Sequence, residues 1–195
     1  MQIILASNNQ HKKEELGKIL YPHTILLPQD MGISFSCEET GKTYIENAIQ
    51  KAQTLYKQIE KPVLSDDSGL SVEALDGRPG IHSARFGEQE TGKKLNQKEK
   101  NRLLLELMGD KKERKAAFVC CMVLFINPLR IYAVQETLEG YIATEERGTN
   151  GFGYDPIFYL PQYDKHLAEL SPEEKNKISH RGKAAKRISK LLEDI

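Results

Sequence analysis

Asp66 and Asp67 stand side by side in "LSDDSGL", residues 64–70, at the end of an apolar run. Like charges on adjacent residues repel unless something positive lies near them, so the pair implies a metal, a substrate or bare solvent. Three other stretches, and a fourth set of acids, offer matching chemistry. "SNNQHK", residues 7–12, is an Asn-rich turn that follows a buried run and opens a helix. Free N–H groups at such a place favour an anion, although a Ser/Asn cap with a solvated Lys12 reads equally well. In "CEETGKTYIENA" the acids Glu38, Glu39 and Glu46 lie at a helix start, where capping alone accounts for them. Beside Asp66 and Asp67, however, a second acid makes a Mg²⁺ site possible, because that ion binds through one or two carboxylates plus substrate phosphates. "GFGYDPIF" sets Phe152 between Gly151 and Gly153, either as an aromatic for stacking on a flat base or as a simple turn before a strand. "EEKNKISHRGKAAKR" crowds Lys175, Lys177, His180, Arg181 and Lys183 together. A solvated basic face is the commoner meaning of such a run, but His180 and Arg181 also suit a base edge and a phosphate.

Together these are the parts of a nucleotide hydrolase: carboxylates for a metal, cations for phosphates and an aromatic for a base. The chain has no P-loop lysine motif, no dinucleotide glycine fingerprint and no G-x-S-x-G. Its three cysteines form no zinc spacing, and Cys120 and Cys121 in "AAFVCCMVLFI" read as packed strand residues.

The elements that must position these residues follow from periodicity. "QIILA" reads as a short buried strand and "TILL" as a second. Ile45, Ala48, Ile49, Ala52, Leu55, Tyr56 and Ile59 keep helical spacing and predict a helix over 43–59. "PVLSDD" predicts a strand that stops at the acids, since Asp and Ser offer the backbone competing hydrogen bonds. A long Gly- and Pro-containing loop is expected over 75–94, then a helix over 94–108 and a hairpin turning at "NPLR". A short capped helix and a terminal helix with Ile188, Leu191 and Leu192 close the chain. Strands alternating with helices, followed by a hairpin, predict a mixed-sheet α/β fold. With 195 residues the chain holds one ample core or two small lobes. Its 28 Lys+Arg balance 28 Asp+Glu, which leaves no basic field for nucleic acid. No apolar run approaches the roughly 20 residues of a membrane helix, so no membrane partner is expected. The opening residues lack the pattern of a secretory signal, and a reduced, cytoplasmic setting is expected.

In this order, "SNNQHK", "EETGKTYIENAIQKA", "SDDSGLSVEALDGRPGIHSARF", "GTNGFGYDPIFY" and "EEKNKISHRGKA" resemble the inosine triphosphate pyrophosphatase family. The resemblance implies Mg²⁺-dependent hydrolysis of non-standard purine nucleoside triphosphates (ITP, dITP, XTP) to the monophosphate and pyrophosphate. It implies an elongated α/β fold, with a long curved mixed β-sheet and flanking helices forming two lobes around a central cleft. Residues 1–195 then make one domain, and a homodimer is expected. Ser7, Asn8, Asn9, Gln10, His11 and Lys12 match the family's phosphate-binding T-G-N-x-x-K, with Ser for Thr and Asn for Gly. Glu39 and Asp67 match the metal-associated acids, and Asp67 the residue that activates water; Asp66 is a second acid or a support for the turn. Ser68, Phe152, Gly153, Tyr154, Asp155, Lys175, His180 and Arg181 match nucleotide-contacting positions, and Lys51 a lysine near the phosphates. Lys12, Lys51 and Lys175 would hold the triphosphate, and selection would rest on the purine 6-oxo group. A pyrophosphatase of the related Maf-like architecture, acting on standard or pyrimidine nucleotides, is the rival enzyme reading. A non-hydrolytic purine sensor is the other rival, although a sensor has no need of Glu39 and Asp67.

Overall fold

The computed structural model describes residues 2–193, apart from the side chains of 89 and 90. In chain order the elements are β1 (Gln2–Leu5), α1 (Gln10–Ile19), β2 (Thr24–Leu26), α2 (Tyr44–Ile59) and β3 (Val63–Val72). Then come α3 (Glu88–Thr91), α4 (Gln97–Met108), β4 (Lys115–Asn127), β5 (Arg130–Ile142), β6 (Phe158–Leu160), β7 (Lys165–His166), α5 (Pro172–Ile178) and α6 (His180–Glu193). The strands make a mixed sheet in the order β2-β1-β3-β4-β5-β6-β7, flanked by helices. This is the α/β class expected. No helix among the described residues is long and apolar enough to cross a membrane.

The chain divides into two compact units. The first comprises the residues up to Ser68, Cys120–Glu136 and those from His180 onward; the second comprises Gly69–Val119 and Thr137–Ser179.

In the first unit, β1 pairs in parallel with both β2 and β3. Alternate side chains of its strands enter two different cores, as the two-residue period of a strand requires. Ile3, Leu5, Leu64, Cys120, Met122 and Leu124 pack on one face with Leu16 of α1, Leu20 just past its end, and Ala184, Ala185 and Ile188 of α6. Ile4, Val63, Cys121, Val123 and Phe125 pack on the other with Ala48, Ala52 and Leu55 of α2. The chain therefore leaves β1 through α1 on one face and returns to its other side through α2 on the opposite face. In open α/β sheets, ligands bind at the carboxyl ends of strands where connections diverge in this way. Here that place is occupied by "SNNQHK" after β1 and by the acids of β3.

β3 departs from expectation. It runs through "SDDSGL" to Val72 instead of stopping at the acids. Strand propensity costs on the order of 1 kcal/mol or less at each polar position. Val63, Leu64, Leu70 and Val72 are all wholly buried, worth about 1.5–3 kcal/mol each, and the acids find cations. Tertiary packing wins over the local preference.

The second unit is built around Leu70, Leu104, Met108, Phe118, Leu138, Tyr154 and Phe158. Phe118 and Phe158 pack as a tilted pair with centroids 4.6 Å apart. Gly140 allows that packing, since a Cβ there would lie 2.6 Å from the Phe158 ring. After a 3₁₀ turn at Glu73–Leu75, the stretch expected as a long loop over 75–94 instead folds into a 3₁₀ turn at Gly80–Arg85 and the short α3. Ser83 holds it by accepting from Leu70 N at 2.9 Å and donating to Gly80 O at 2.6 Å. Lys100 of α4, which begins three residues later than expected, donates to Ala84 O.

Candidate active site

In the first unit, the turn after β1 is pinned by its own side chains. Ser7 Oγ accepts from Asn9 N at 3.1 Å, and Asn9 Oδ1 caps α1 by accepting from Lys12 N at 3.2 Å. Asn8 Nδ2 donates to Phe35 O at 2.8 Å. Asn8 is not among the residues with positive φ, so the family's glycine is not required at this position. Gln10 and His11 lie exposed on the first turn of α1. Lys12 reaches Asp66, with its ammonium on both the carboxylate and the backbone carbonyl.

Because side chains alternate along β3, the adjacent carboxylates face opposite sides and do not meet. Asp67 lies on the α2 side. Lys51 Nζ stands 2.6 Å from Asp67 Oδ1, 2.9 Å from Glu39 Oε1 and 2.8 Å from Asp66 O. Burial alone would lower the Lys51 ammonium, but Asp67 and Glu39 outweigh it and raise it. Burial pushes the Asp67 carboxyl up, and Lys51 only partly opposes this. Of the acids read as possible caps, Glu46 is one: its Oε2 accepts from Thr43 N at 3.1 Å and Lys42 N at 2.6 Å, and Thr43 Oγ1 accepts in return. Glu39 instead joins the lysine.

Asp66 lies on the α1/α6 side, completely buried. Its Oδ1 accepts from Lys12 Nζ and from Ser68 Oγ at 2.9 Å. Its Oδ2 accepts from Arg181 Nε at 2.9 Å and from Cys120 Sγ at 3.2 Å. Burial works to raise this carboxyl, but the Arg181 and Lys12 charges hold it well below the usual carboxylate value. Arg181 is buried too; Nη1 donates to Glu15 Oε2 at 2.8 Å and Nη2 to Ser68 Oγ at 2.7 Å. His180, the first residue of α6, is buried beside it in sequence.

In the second unit, Gly151 and Gly153 both take left-handed φ values, 75° and 69°, and turn the chain sharply around Phe152. Asp155 Oδ2 accepts from Phe152 N at 2.8 Å and from Lys175 Nζ at 2.7 Å. A Cβ on Gly151 would lie 2.1 Å from that oxygen, so glycine is needed there for space as well as φ. Lys175 Nζ lies 4.6 Å from the Phe152 ring centroid, a cation–π contact. Tyr154 donates to Ser83 O at 2.9 Å, and burial raises its phenol well above the ordinary value. Asn101 of α4 reaches Gly153 O at 3.4 Å.

The structure thus gathers Ser7–Lys12, Glu39, Lys51, Asp67, Ser68, His180 and Arg181 in the first unit, and Phe152–Asp155 with Lys175 in the second. Sequence reasoning missed Glu15, Asn47 and Cys120. Asn47 Oδ1 accepts from Gly41 N at 2.8 Å and its Nδ2 lies 3.5 Å from Asp67 Oδ2, a long contact. A buried Asn in the first turn of an amphipathic helix was a readable signal. Cys120 carried none beyond its strand pattern.

Among the described residues no group of three or more His, Cys, Asp or Glu could hold a metal as an all-protein cage. Glu39 and Asp67 nevertheless bring two carboxylate oxygens to one ammonium, an all-oxygen donor pair that fits Mg²⁺ completed by phosphates and water.

The Ham1 family profile matches residues 3–191. A "dITP/XTP pyrophosphatase" of Treponema denticola is 50% identical over 192 residues, covering 98% of each chain. The Bacillus subtilis protein of that name is 45% identical, covering 98% of this chain and 97% of the relative. Among solved structures, a HAM1 protein from Coxiella burnetii superposes with a TM-score of 0.89 at 39% identity, covering 100% of both chains. The Staphylococcus aureus Ham1 protein gives 0.87 at 39% identity, covering 100% and 99%. With its fold, its ordered motifs and full-length relatives in agreement, the chain belongs to the Ham1 family.

Proposed function

We propose that this chain hydrolyses non-standard purine nucleoside triphosphates, dITP, ITP and XTP, to the monophosphate and pyrophosphate, with Mg²⁺ as cofactor. The observation that carries this reading is the convergence of the Glu39 and Asp67 carboxylates on a single cation, the Lys51 ammonium, which shows that the two acids can share one positive charge. The relatives' name, dITP/XTP pyrophosphatase, points to two of these substrates and to pyrophosphate release. Glu39 and Asp67 would hold the metal. When bound, Mg²⁺ would neutralise the phosphate charge that resists attack. Asp67 takes a proton from the attacking water. Lys12 and Lys51 hold triphosphate oxygens, and the N-terminal turn of α1 offers its N–H groups. His180 reads the 6-oxo edge, leaving adenine's amino group mismatched. A homodimer in the cytoplasm completes the proposal, and light scattering at micromolar protein checks the dimer.

Purified protein with Mg²⁺ and a panel of ITP, XTP, dITP, GTP and ATP provides the test. Pyrophosphate with monophosphate should appear, fast for the inosine and xanthine nucleotides and slow for ATP. Orthophosphate with diphosphate as first products would overturn the reading, because attack would then fall on the terminal phosphorus.

Phe152 is the stacking platform for the base, oriented by Asp155 and backed by Lys175. Stacking is worth about 1–3 kcal/mol per base and ignores ring substituents. Phe152→Ala should therefore raise KM for ITP, XTP and ATP alike, by roughly thirtyfold at the middle of that range. A changed ITP/ATP ratio of kcat/KM would assign Phe152 a role in selection instead.

A further inference from the structure

Adjacent carboxylates invite the assumption that both ligate the metal. A carboxylate offers about four lone-pair directions. All four on Asp66 are met by protein donors: Lys12 and Ser68 on Oδ1, Arg181 and Cys120 on Oδ2. These donors come from α1, β3, α6 and β4, four separate elements. Asp67, one residue on, faces the other side of β3 toward Lys51 and Glu39. We infer that Asp66 binds no metal and is instead the positioning residue that fixes the phosphate-side Lys12 and the α6 Arg181 relative to each other.

The physical consequence is a division of labour between neighbours. Lys12 Nζ and Arg181 Nε lie on different oxygens of one buried carboxylate, so each cation is held at a fixed place relative to the other through that rigid group. Cys120 contributes a neutral donor; burial, reinforced by Asp66, raises its thiol well above the ordinary value, so it remains S–H. Glu15 faces the same arginine and shares its charge. Lys51 touches Asp66 only at the backbone carbonyl. A residue acting this way influences turnover through Lys12 and Arg181, and leaves the metal pair intact.

The inference rests on the proposed metal pair Glu39 and Asp67, and the experiment separates the two. Mn²⁺ serves as the probe, titrated without nucleotide by the loss of its free EPR signal, on wild type, Asp66→Asn and Asp67→Asn. Asp66→Asn should bind Mn²⁺ within about threefold of wild type, whereas Asp67→Asn should weaken it at least about tenfold. With ITP, Asp66→Asn should raise KM by about tenfold and lower kcat less, since a phosphate-binding cation has been loosened. Loss of Mn²⁺ binding in Asp66→Asn equal to that in Asp67→Asn would overturn the inference. Unaltered Mn²⁺ binding in Asp67→Asn would overturn the metal pair, and the KM of Asp66→Asn would still decide the grip. Removing a buried charge can also prevent folding, so Cys120 supplies a milder pair of variants. Cys120→Ala deletes one donor to Oδ2 and should raise KM about threefold, while Cys120→Ser restores a donor and a near-normal KM. Equal KM values in the two cysteine variants would count against the grip.

Discussion

Asp67→Asn should reduce ITP turnover by more than about 10²-fold, the lower end of what a positioned general base contributes, in a protein that remains folded. The substitution preserves volume and removes only charge. Lys51 keeps two of its three acceptors, Glu39 Oε1 and Asp66 O, so no bare buried ammonium is created. Burial already disfavours the ionised Asp67, so a neutral amide also relieves a desolvation cost. Thermal melting should therefore stay close to wild type while kcat collapses. Near-normal hydrolysis by a well-folded Asp67→Asn protein would remove Asp67 from the chemistry and the proposed mechanism with it.

Elements set by local periodicity were legible in the sequence. The apolar spacing predicts a helix over 43–59, and α2 spans Tyr44–Ile59 because a Thr43–Glu46 capping box fixes its start. The hairpin turn expected at "NPLR" falls between β4 and β5, where Asn127 Oδ1 accepts from Leu129 N at 2.9 Å. What local signals could not give is where β3 ends. Asp, Ser and Gly favour turns in isolation, and the burial of Leu70 and Val72 together with the cations of α1, α2 and α6 makes an extended backbone through them favourable. The same lesson applies to the site. The residue types were visible, but Arg181 and Glu15 are 166 positions apart, and only the fold shows that they pair. Alternation along β3 was available from the sequence once a strand was assigned through the acids. That alternation alone places Asp66 and Asp67 on opposite faces of the sheet.

Arg181→Met should produce the largest loss of stability of any single change at this site. The side chain is 4% exposed, and three of its nitrogens donate to Asp66, Glu15 and Ser68. Breaking a buried pair by removing one partner costs about 3–5 kcal/mol, because the charge left behind has lost its compensation. For a chain of this size roughly 2–4 °C of melting temperature goes with each kcal/mol, so a fall of about 10 °C is expected. Arg181→Lys keeps the charge but replaces a planar fork with a single point that cannot serve three acceptors, and should fall about halfway. The cause can be checked by sign. Glu15→Gln should destabilise the wild type, where it weakens the pair, and stabilise Arg181→Met, where it removes an orphaned carboxylate. Glu15 Oε1 is already buried without a hydrogen-bond partner among the described residues, which makes that orphan costly. Differential scanning calorimetry on the four proteins of this cycle measures the reversal directly. If Glu15→Gln acts in the same direction in both backgrounds, the loss in Arg181→Met comes from packing, and the buried ion pairs do not hold this part of the unit together.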